Sequence, residues 1–187
     1  MCADATKILP QDDDLFLRIA EACPNSCFVF IEGGDIFVMS IFMRRLDSAF
    51  GRRGLDAGSF VILLPRMIQK RYTALNSVVD VFLDSMGWSG GNTTLEALQH
   101  AVPVVTRPGD TMRSCHSAAI LSHISVEDTI ARENDEYIGI AARLANEPHW
   151  REGIRSRLNE RKAILADGKG AVGALGDFLV TALHREG

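Results

Sequence analysis

Residues 83–98 read Leu83-Asp84-Ser85-Met86-Gly87-Trp88-Ser89-Gly90-Gly91-Asn92-Thr93-Thr94-Leu95-Glu96-Ala97-Leu98. The apolar run VVDVFL (Val78 to Leu83) leads into this stretch, which turns polar at Asp84. A loop with three glycines follows, and helical spacing begins near Thr93 or Thr94. Strand, glycine-rich loop and helix start, in that order, make a βα unit and a physical device for holding a phosphate. The first amides of a helix have no intrahelical acceptor and carry part of a positive charge. Gly90 and Gly91 would let the backbone approach an anion with no Cβ in the way. Ser89, Asn92, Thr93 and Thr94 add side-chain donors, one of which can cap the helix. Glu96 lies in the first turn. Its charge cannot help to hold an anion, but it is placed to accept hydrogen bonds from a ribose diol. The same residues also suit an ordinary capped turn. The loop matches neither the P-loop pattern nor G-x-G-x-x-G, so neither a nucleoside triphosphatase nor an NAD enzyme is indicated.

Working outward, further apolar runs resemble the one before Asp84: Cys27 to Ile31, Ser59 to Leu64 (SFVILL) and Val102 to Thr106 (VPVVT). They are rich in Val, Ile and Phe and do not alternate with polar residues, as expected of parallel strands buried on both faces. Helical patterns lie between them: LFLRIAEAC after Asp12-Asp13-Asp14, Ile36 to Phe50, Gln69 to Asn76, Thr94 to His100 and Thr111 to Ser122. Residues from about Glu133 to Glu186 read as two or three helices, separated at Pro148 and at Asp167-Gly168-Lys169-Gly170. This order predicts an α/β fold, a Rossmann-like parallel sheet with helices on both faces, and a helical C-terminal tail packed against it. Residues 1–187 are read as a single domain, with 133–187 as its helical part. Arg107-Pro108-Gly109-Asp110-Thr111-Met112-Arg113 forms a second strand–turn–helix junction. Two such junctions on neighbouring strands would share the carboxyl edge of the sheet, where ligands of open α/β folds bind. Arg107 and Arg113 could add positive charge there. Glu32-Gly33-Gly34-Asp35 is a plain turn.

Composition narrows the classes. The chain has 187 residues, of which 47% are hydrophobic, enough for a real core. The net charge is -4, and without a basic excess neither nucleic acid nor an anionic membrane is an expected partner. An anionic small ligand needs only a local positive site. Cys23 and Cys27 stand in a C-x3-C spacing, but His100, His116, His123, His149 and His184 supply no second pair at metal spacing, so no metal is expected. No run reaches the roughly 18 apolar residues of a membrane span, and no signal-peptide pattern opens the chain. The expected location is cytoplasmic.

The segments LDSMGWSGGNTTLEAL and PVVTRPGDTMRS resemble the C-terminal catalytic lobe of the O-linked N-acetylglucosamine transferases and their bacterial TPR-linked relatives. The resemblance runs from Lys7 to about Leu158 and is most specific from Pro65 to Ser114. It implies one lobe of a GT-B glycosyltransferase that binds a UDP-sugar, with UDP-N-acetylglucosamine the expected donor. By position, Lys7 matches a lysine on the diphosphate. Met67 falls in the loop that holds the uracil, and Tyr72 stands beside it. Gly90, Gly91, Asn92, Thr93 and Thr94 match the diphosphate-binding turn, and Glu96 an acidic residue on the ribose hydroxyls. Where animal members carry His-Thr-Thr, this chain has Asn92-Thr93-Thr94, and Cys115 stands where an arginine is common.

The resemblance implies an inverting, metal-independent O-glycosyl transfer to protein, with no cofactor beyond the donor substrate. It assigns no catalytic residue to this chain. The expected partners are UDP or a UDP-sugar, a protein acceptor, and an N-terminal lobe or TPR region that the sequence does not contain. Without that lobe, nucleotide binding is expected but little transfer. The alternative is a non-catalytic interaction module that keeps the fold. The apolar helix at Ile36 to Phe42 would then pair with another chain, for example as a homodimer.

Overall fold

A computed structural model describes residues 5–166 and 169–185. The Asp167-Gly168 part of the expected break lies outside the described residues. A short 3-10 turn, Ala5–Lys7, precedes α1 (Asp13–Ala22) and β1 (Phe28–Ile31). Helix α2 (Ile36–Gly51), strand β2 (Val61–Leu64) and helix α3 (Gln69–Asn76) follow, then β3 (Phe82–Leu83), α4 (Asn92–Gln99) and β4 (Val104–Val105). The chain continues through a 3-10 turn (Met112–Ser114) into α5 (His116–His123), α6 (Asn134–Asn146), α7 (Pro148–Arg161) and α8 (Lys169–Arg185).

The strands pair in parallel, β1 with β2 from Phe28 opposite Val61 to Ile31 opposite Leu64. Strand β3 pairs with β4, Phe82 opposite Val104, and a parallel bridge from Thr106 to Ile130 extends that pair. The expected α/β architecture with parallel strands is present, hydrogen-bonded as two pairs. The run at Val78 is not strand. Its register is lost because Val78 is 75% exposed and Asp80 points to solvent, where it meets Arg151 of α7 at 3.3 Å. A strand covered on both faces cannot hold either residue, so β3 starts only at Phe82.

The core forms where α1 and α2 close over β1. Phe16 meets Phe28 and Phe30 edge-to-face at 5.6 and 5.2 Å, and Phe30 meets Phe42 at 4.9 Å. Such edge-to-face pairs add about 0.5–1.5 kcal/mol each to the burial of the rings. On the other side, Leu98, Val104, Leu121, Ile124, Leu144 and Leu158 are fully buried. Helix α1 packs on α6, and α6 on α7. Pro148 begins α7 where its missing N–H is no loss.

The expected packing of the C-terminal tail holds for α6 and α7 but not for α8. Val172, Leu175, Phe178, Leu179 and Leu183 of α8 are exposed. Their spacing places them on one helical side, and that side is left largely open. Ile36 and Phe37, at the start of α2, are also exposed. Asp35 caps that helix through the Phe37 N–H at 2.8 Å, so the Glu32–Asp35 turn is structural.

Candidate functional site

Strand β3 delivers Asp84 to the end of the sheet, where it is buried. Its Oδ1 accepts from the backbone N–H groups of Ser85 at 3.0 Å and Gly90 at 2.7 Å. Its Oδ2 accepts from Ser89 Oγ and Thr106 Oγ1, each at 2.7 Å. One carboxylate therefore ties the end of β3, the glycine loop and the end of β4 into a single piece. The Tyr137 hydroxyl of α6 donates to the Asp84 carbonyl at 2.9 Å, locking the same residue from behind.

The loop is closed a second time at Ser117 of α5. Ser89 Oγ accepts from the Ser117 N–H at 2.9 Å, and Ser117 Oγ donates to the Gly90 carbonyl at 3.0 Å. Thr94 Oγ1 reaches the same carbonyl at 2.9 Å and Ser117 Oγ at 2.6 Å. The Gly90 N–H is thus committed to Asp84 and the Thr94 hydroxyl to the loop itself. A Cβ at Gly90 would stand 2.5 Å from Thr94 Oγ1 and 2.7 Å from Thr93 Oγ1.

The anion-binding element that remains is the start of α4. The helix begins at Asn92, earlier than its apolar spacing indicates, with Gly91 as its N-cap and no side chain capping it. The backbone N–H groups of Asn92, Thr93 and Thr94 form its open first turn. Asn92 is exposed and Thr93 half-buried. His116 borders the turn, its Nδ1 lying 3.9 Å from where a Gly91 Cβ would be.

At the glycine loop lies a cleft of about 480 Å³ lined by Thr6, Lys7, Leu9, Gly87, Trp88 and Arg113. The structure thus brings Lys7, 80 residues upstream of Gly87 in sequence, to the glycine loop. Arg45 of α2 holds that N-terminal segment, with hydrogen bonds to both Asp13 carboxyl oxygens at 2.6 and 3.0 Å and to the Ile8 carbonyl at 3.1 Å. Nearby, Asp12 accepts from the Leu9 N–H at 3.2 Å. Burial raises its pKa above the ordinary value, and Asp13 adds to the rise. Arg107 is half-buried at the edge of this region, its Nε without an acceptor among the described residues.

Glu96 stands on α4, one turn further along from its start. The Gln69 side-chain amide of α3 donates to it. Burial first, and then the Glu96 charge, pushes the Tyr72 phenol far above its ordinary range, so its hydroxyl keeps its proton at any working pH. Tyr72 and Glu96 therefore share one locality. Met67 lies half-buried in the loop between β2 and α3. Sequence reading did not single out Asp84, Ser117, Gln69 or Tyr137 for the site. Asp84 carried a usable sign, an acidic residue ending a buried strand just before a glycine loop. Ser117 and Tyr137 carried none, since they reach the loop only through packing.

Among the described residues there is no cluster of His, Cys, Asp and Glu fit to hold a metal, and no helix is long and apolar enough to cross a membrane.

Residues 6–167 match the family model described as glycosyl transferase family 41. The chain is 27% identical over 164 residues to a protein of Solanum lycopersicum named probable UDP-N-acetylglucosamine–peptide N-acetylglucosaminyltransferase SPINDLY, covering 87% of this chain and 17% of that one. A Hordeum vulgare protein of the same name is 28% identical over 182 residues, 96% of this chain and 19% of its own. Among solved structures, a mutant O-GlcNAc transferase of Thermobaculum terrenum superposes with a TM-score of 0.83 at 28% identity. It covers 95% of this chain and 34% of its own. The chain thus spans less than a fifth of these curated relatives' length.

Proposed function

The chain belongs to glycosyl transferase family 41, and within that family we propose that it is the donor-binding lobe of a GT-B, metal-independent, inverting O-glycosyltransferase acting on protein. UDP-N-acetylglucosamine is the proposed donor, a reading supported by the names of its relatives. The observation that carries the proposal is the uncapped start of α4, following a loop fastened by the Asp84 network, with a lysine-lined cleft at that loop and a carboxylate one turn along the helix. A nucleoside diphosphate has the matching order of charges. Its diphosphate meets the amides of Asn92, Thr93 and Thr94 and the Lys7 ammonium. Its ribose hydroxyls donate to Glu96, and its base lies toward Met67 and Tyr72.

When an acceptor hydroxyl attacks the anomeric carbon, the bond to the β-phosphate oxygen breaks and negative charge grows on the departing UDP. Lys7 and the helix start stabilise that charge without a metal. No group of this chain is assigned to take the acceptor's proton. The acceptor site is assigned to the part of the longer relatives that this chain does not span, and the chain by itself is expected to bind donor with little transfer.

Titration calorimetry with UDP and 2′-deoxy-UDP tests the reading. The chain is expected to bind UDP at sub-millimolar concentration and to prefer it to the deoxy form. Lys7→Ala should weaken both ligands, and Glu96→Ala should abolish the preference. A folded chain that ignores millimolar UDP overturns the proposal. A second reading, an interaction module indifferent to nucleotide, is favoured by the exposed Ile36 and Phe37 and by the apolar side of α8. A dimer in light scattering that is unchanged by UDP would support it.

A further inference from the structure

The run from Val78 to Val81 leaves the sheet before β3 begins, and a cavity of about 370 Å³ lies where it parts from β1. Phe28 and Val29 of β1 line it together with Val79, Val81 and Leu83. Ile19 and Cys23 come from the end of α1. Ala141 and Ala145 of α6, one turn apart, add only methyl groups and so leave the space unfilled. Protein interiors hold few voids larger than a water molecule, so a space of this size is a feature of the fold. It lies toward the amino ends of β1 and β3, whereas the glycine loop leaves the carboxyl end of β3. None of its lining residues belongs to the Lys7 cleft, the glycine loop or the start of α4.

The chemistry of the walls narrows what could enter. Asp80 and Arg151 are the two charged residues among the lining, and they pair with each other at 3.3 Å. Arg151 also donates to the carbonyls of Leu144 at 2.7 Å and Ala145 at 3.3 Å. The guanidinium is thus spent on its own surroundings, and an incoming carboxylate would meet Asp80. Asn146 is engaged as well, its amide donating to the Ala22 carbonyl at 3.1 Å. One polar group is left over. Ser26 lines the cavity, and its Oγ is hidden from solvent with no hydrogen-bond partner among the described residues. A buried hydroxyl without a partner is costly, and a single hydroxyl on an occupant would relieve that cost. The apolar remainder sets the body of the occupant. Since an apolar cavity of about 150 Å³ takes up benzene, a space more than twice as large suits a fused pair of rings.

We infer that this cavity is a second ligand site, for a neutral hydrophobic molecule of bicyclic size whose one hydroxyl pairs with Ser26. The site stands apart from the proposed donor site and does not rest on that reading.

Equilibrium dialysis of the full chain against 2-naphthol, naphthalene and 2-naphthoate at pH 7 tests it. 2-Naphthol should bind one site at sub-millimolar concentration. 2-Naphthoate, charged at that pH, should bind at least about tenfold more weakly, because its charge would be buried beside Asp80. Ser26→Ala should weaken 2-naphthol about fivefold, the worth of one hydrogen bond, and leave naphthalene unchanged. Ala145→Leu, which fills the space, should abolish binding of both while the chain still melts cooperatively. If that variant does not fold, Ala141→Val places a smaller group in the same cavity and should weaken both. Bound 2-naphthol should also slow alkylation of Cys23 by N-ethylmaleimide, read by peptide mass spectrometry, without slowing that of Cys115, which lies at the Gly109 turn. Absence of saturable binding at millimolar 2-naphthol overturns the inference. So does binding that survives in both filled variants, equal affinity for 2-naphthoate, or 2-naphthol affinity indifferent to Ser26→Ala.

Discussion

Replacing Asp84 removes the one acceptor that four donors share, and the four do not respond alike. The Ser89 and Thr106 hydroxyls can rotate, and Ser89 has Ser117 Oγ within 2.9 Å as another partner. The N–H groups of Ser85 and Gly90 cannot rotate, because the loop backbone fixes them. Each buried donor left without an acceptor costs about 1–3 kcal/mol. Together with the lost contacts to the hydroxyls, Asp84→Ala should cost about 3–6 kcal/mol, a large part of the roughly 5–15 kcal/mol that holds a domain together.

Asp84→Asn should cost only about 1–2 kcal/mol. The amide oxygen can face the two fixed N–H groups, while the amide nitrogen donates to hydroxyls that have turned round. Urea unfolding followed by circular dichroism separates the two variants. With a slope of about 2 kcal/mol per molar urea, the alanine midpoint should fall by roughly 1.5–3 M and the asparagine midpoint by less than about 1 M. UDP affinity should survive in the asparagine variant. If alanine proves too unstable to purify, Thr106→Val, which removes one rotatable donor, should shift the midpoint by less than asparagine does. Equal midpoints for alanine and asparagine would refute the claim that fixed backbone donors make Asp84 indispensable.

Gly90→Ala drives a Cβ against Thr94 Oγ1 and should cost about 1–3 kcal/mol. In a Thr94→Ala background the cost should shrink, and strict additivity of the two changes in thermal melts would contradict the packing argument. Phe30→Ala empties the centre of the ring cluster and should cost about 3–5 kcal/mol. At about 2–4 °C per kcal/mol for a chain of this size, calorimetry should show a fall of at least about 6 °C, and a smaller fall would mean the cluster repacks. Asp12 has a raised pKa in the fold, so its neutral form is the stabilising one. That contribution is complete below the unfolded value of 3.8 and is lost as pH rises through the folded value. Asp12→Asn should therefore melt higher than wild type at pH 7 and no higher near pH 3; a gain that persists at low pH would point to a cause other than ionisation.

Much of the fold was legible because the deciding information is local. Runs rich in Val, Ile and Phe marked β1, β2 and β4, and Gln69 to Asn76 read as the helix that forms. Val78 shows the limit of a local reading, since an apolar residue joins a strand only if a neighbour covers it. The C-terminal tail shows the same limit. The spacing of Val172, Leu175 and Leu179 makes a helix, but whether that helix packs depends on a surface the spacing does not describe.

For the site, sequence alone determined its elements: a strand ending at Asp84, a glycine loop, a helix start and a carboxylate at Glu96. Tertiary structure decided which groups are free to meet a ligand. It tied the Gly90 N–H and the Thr94 hydroxyl into the Asp84–Ser117 network, carried Lys7 and Arg113 to Trp88, and set Gln69 and Tyr72 beside Glu96. The physical reason is that a helix start or a glycine turn is specified by neighbours a few residues apart. A hydrogen bond between residues 28 or 53 positions apart, as from Ser117 to Ser89 or Tyr137 to Asp84, exists only after the chain has closed on itself.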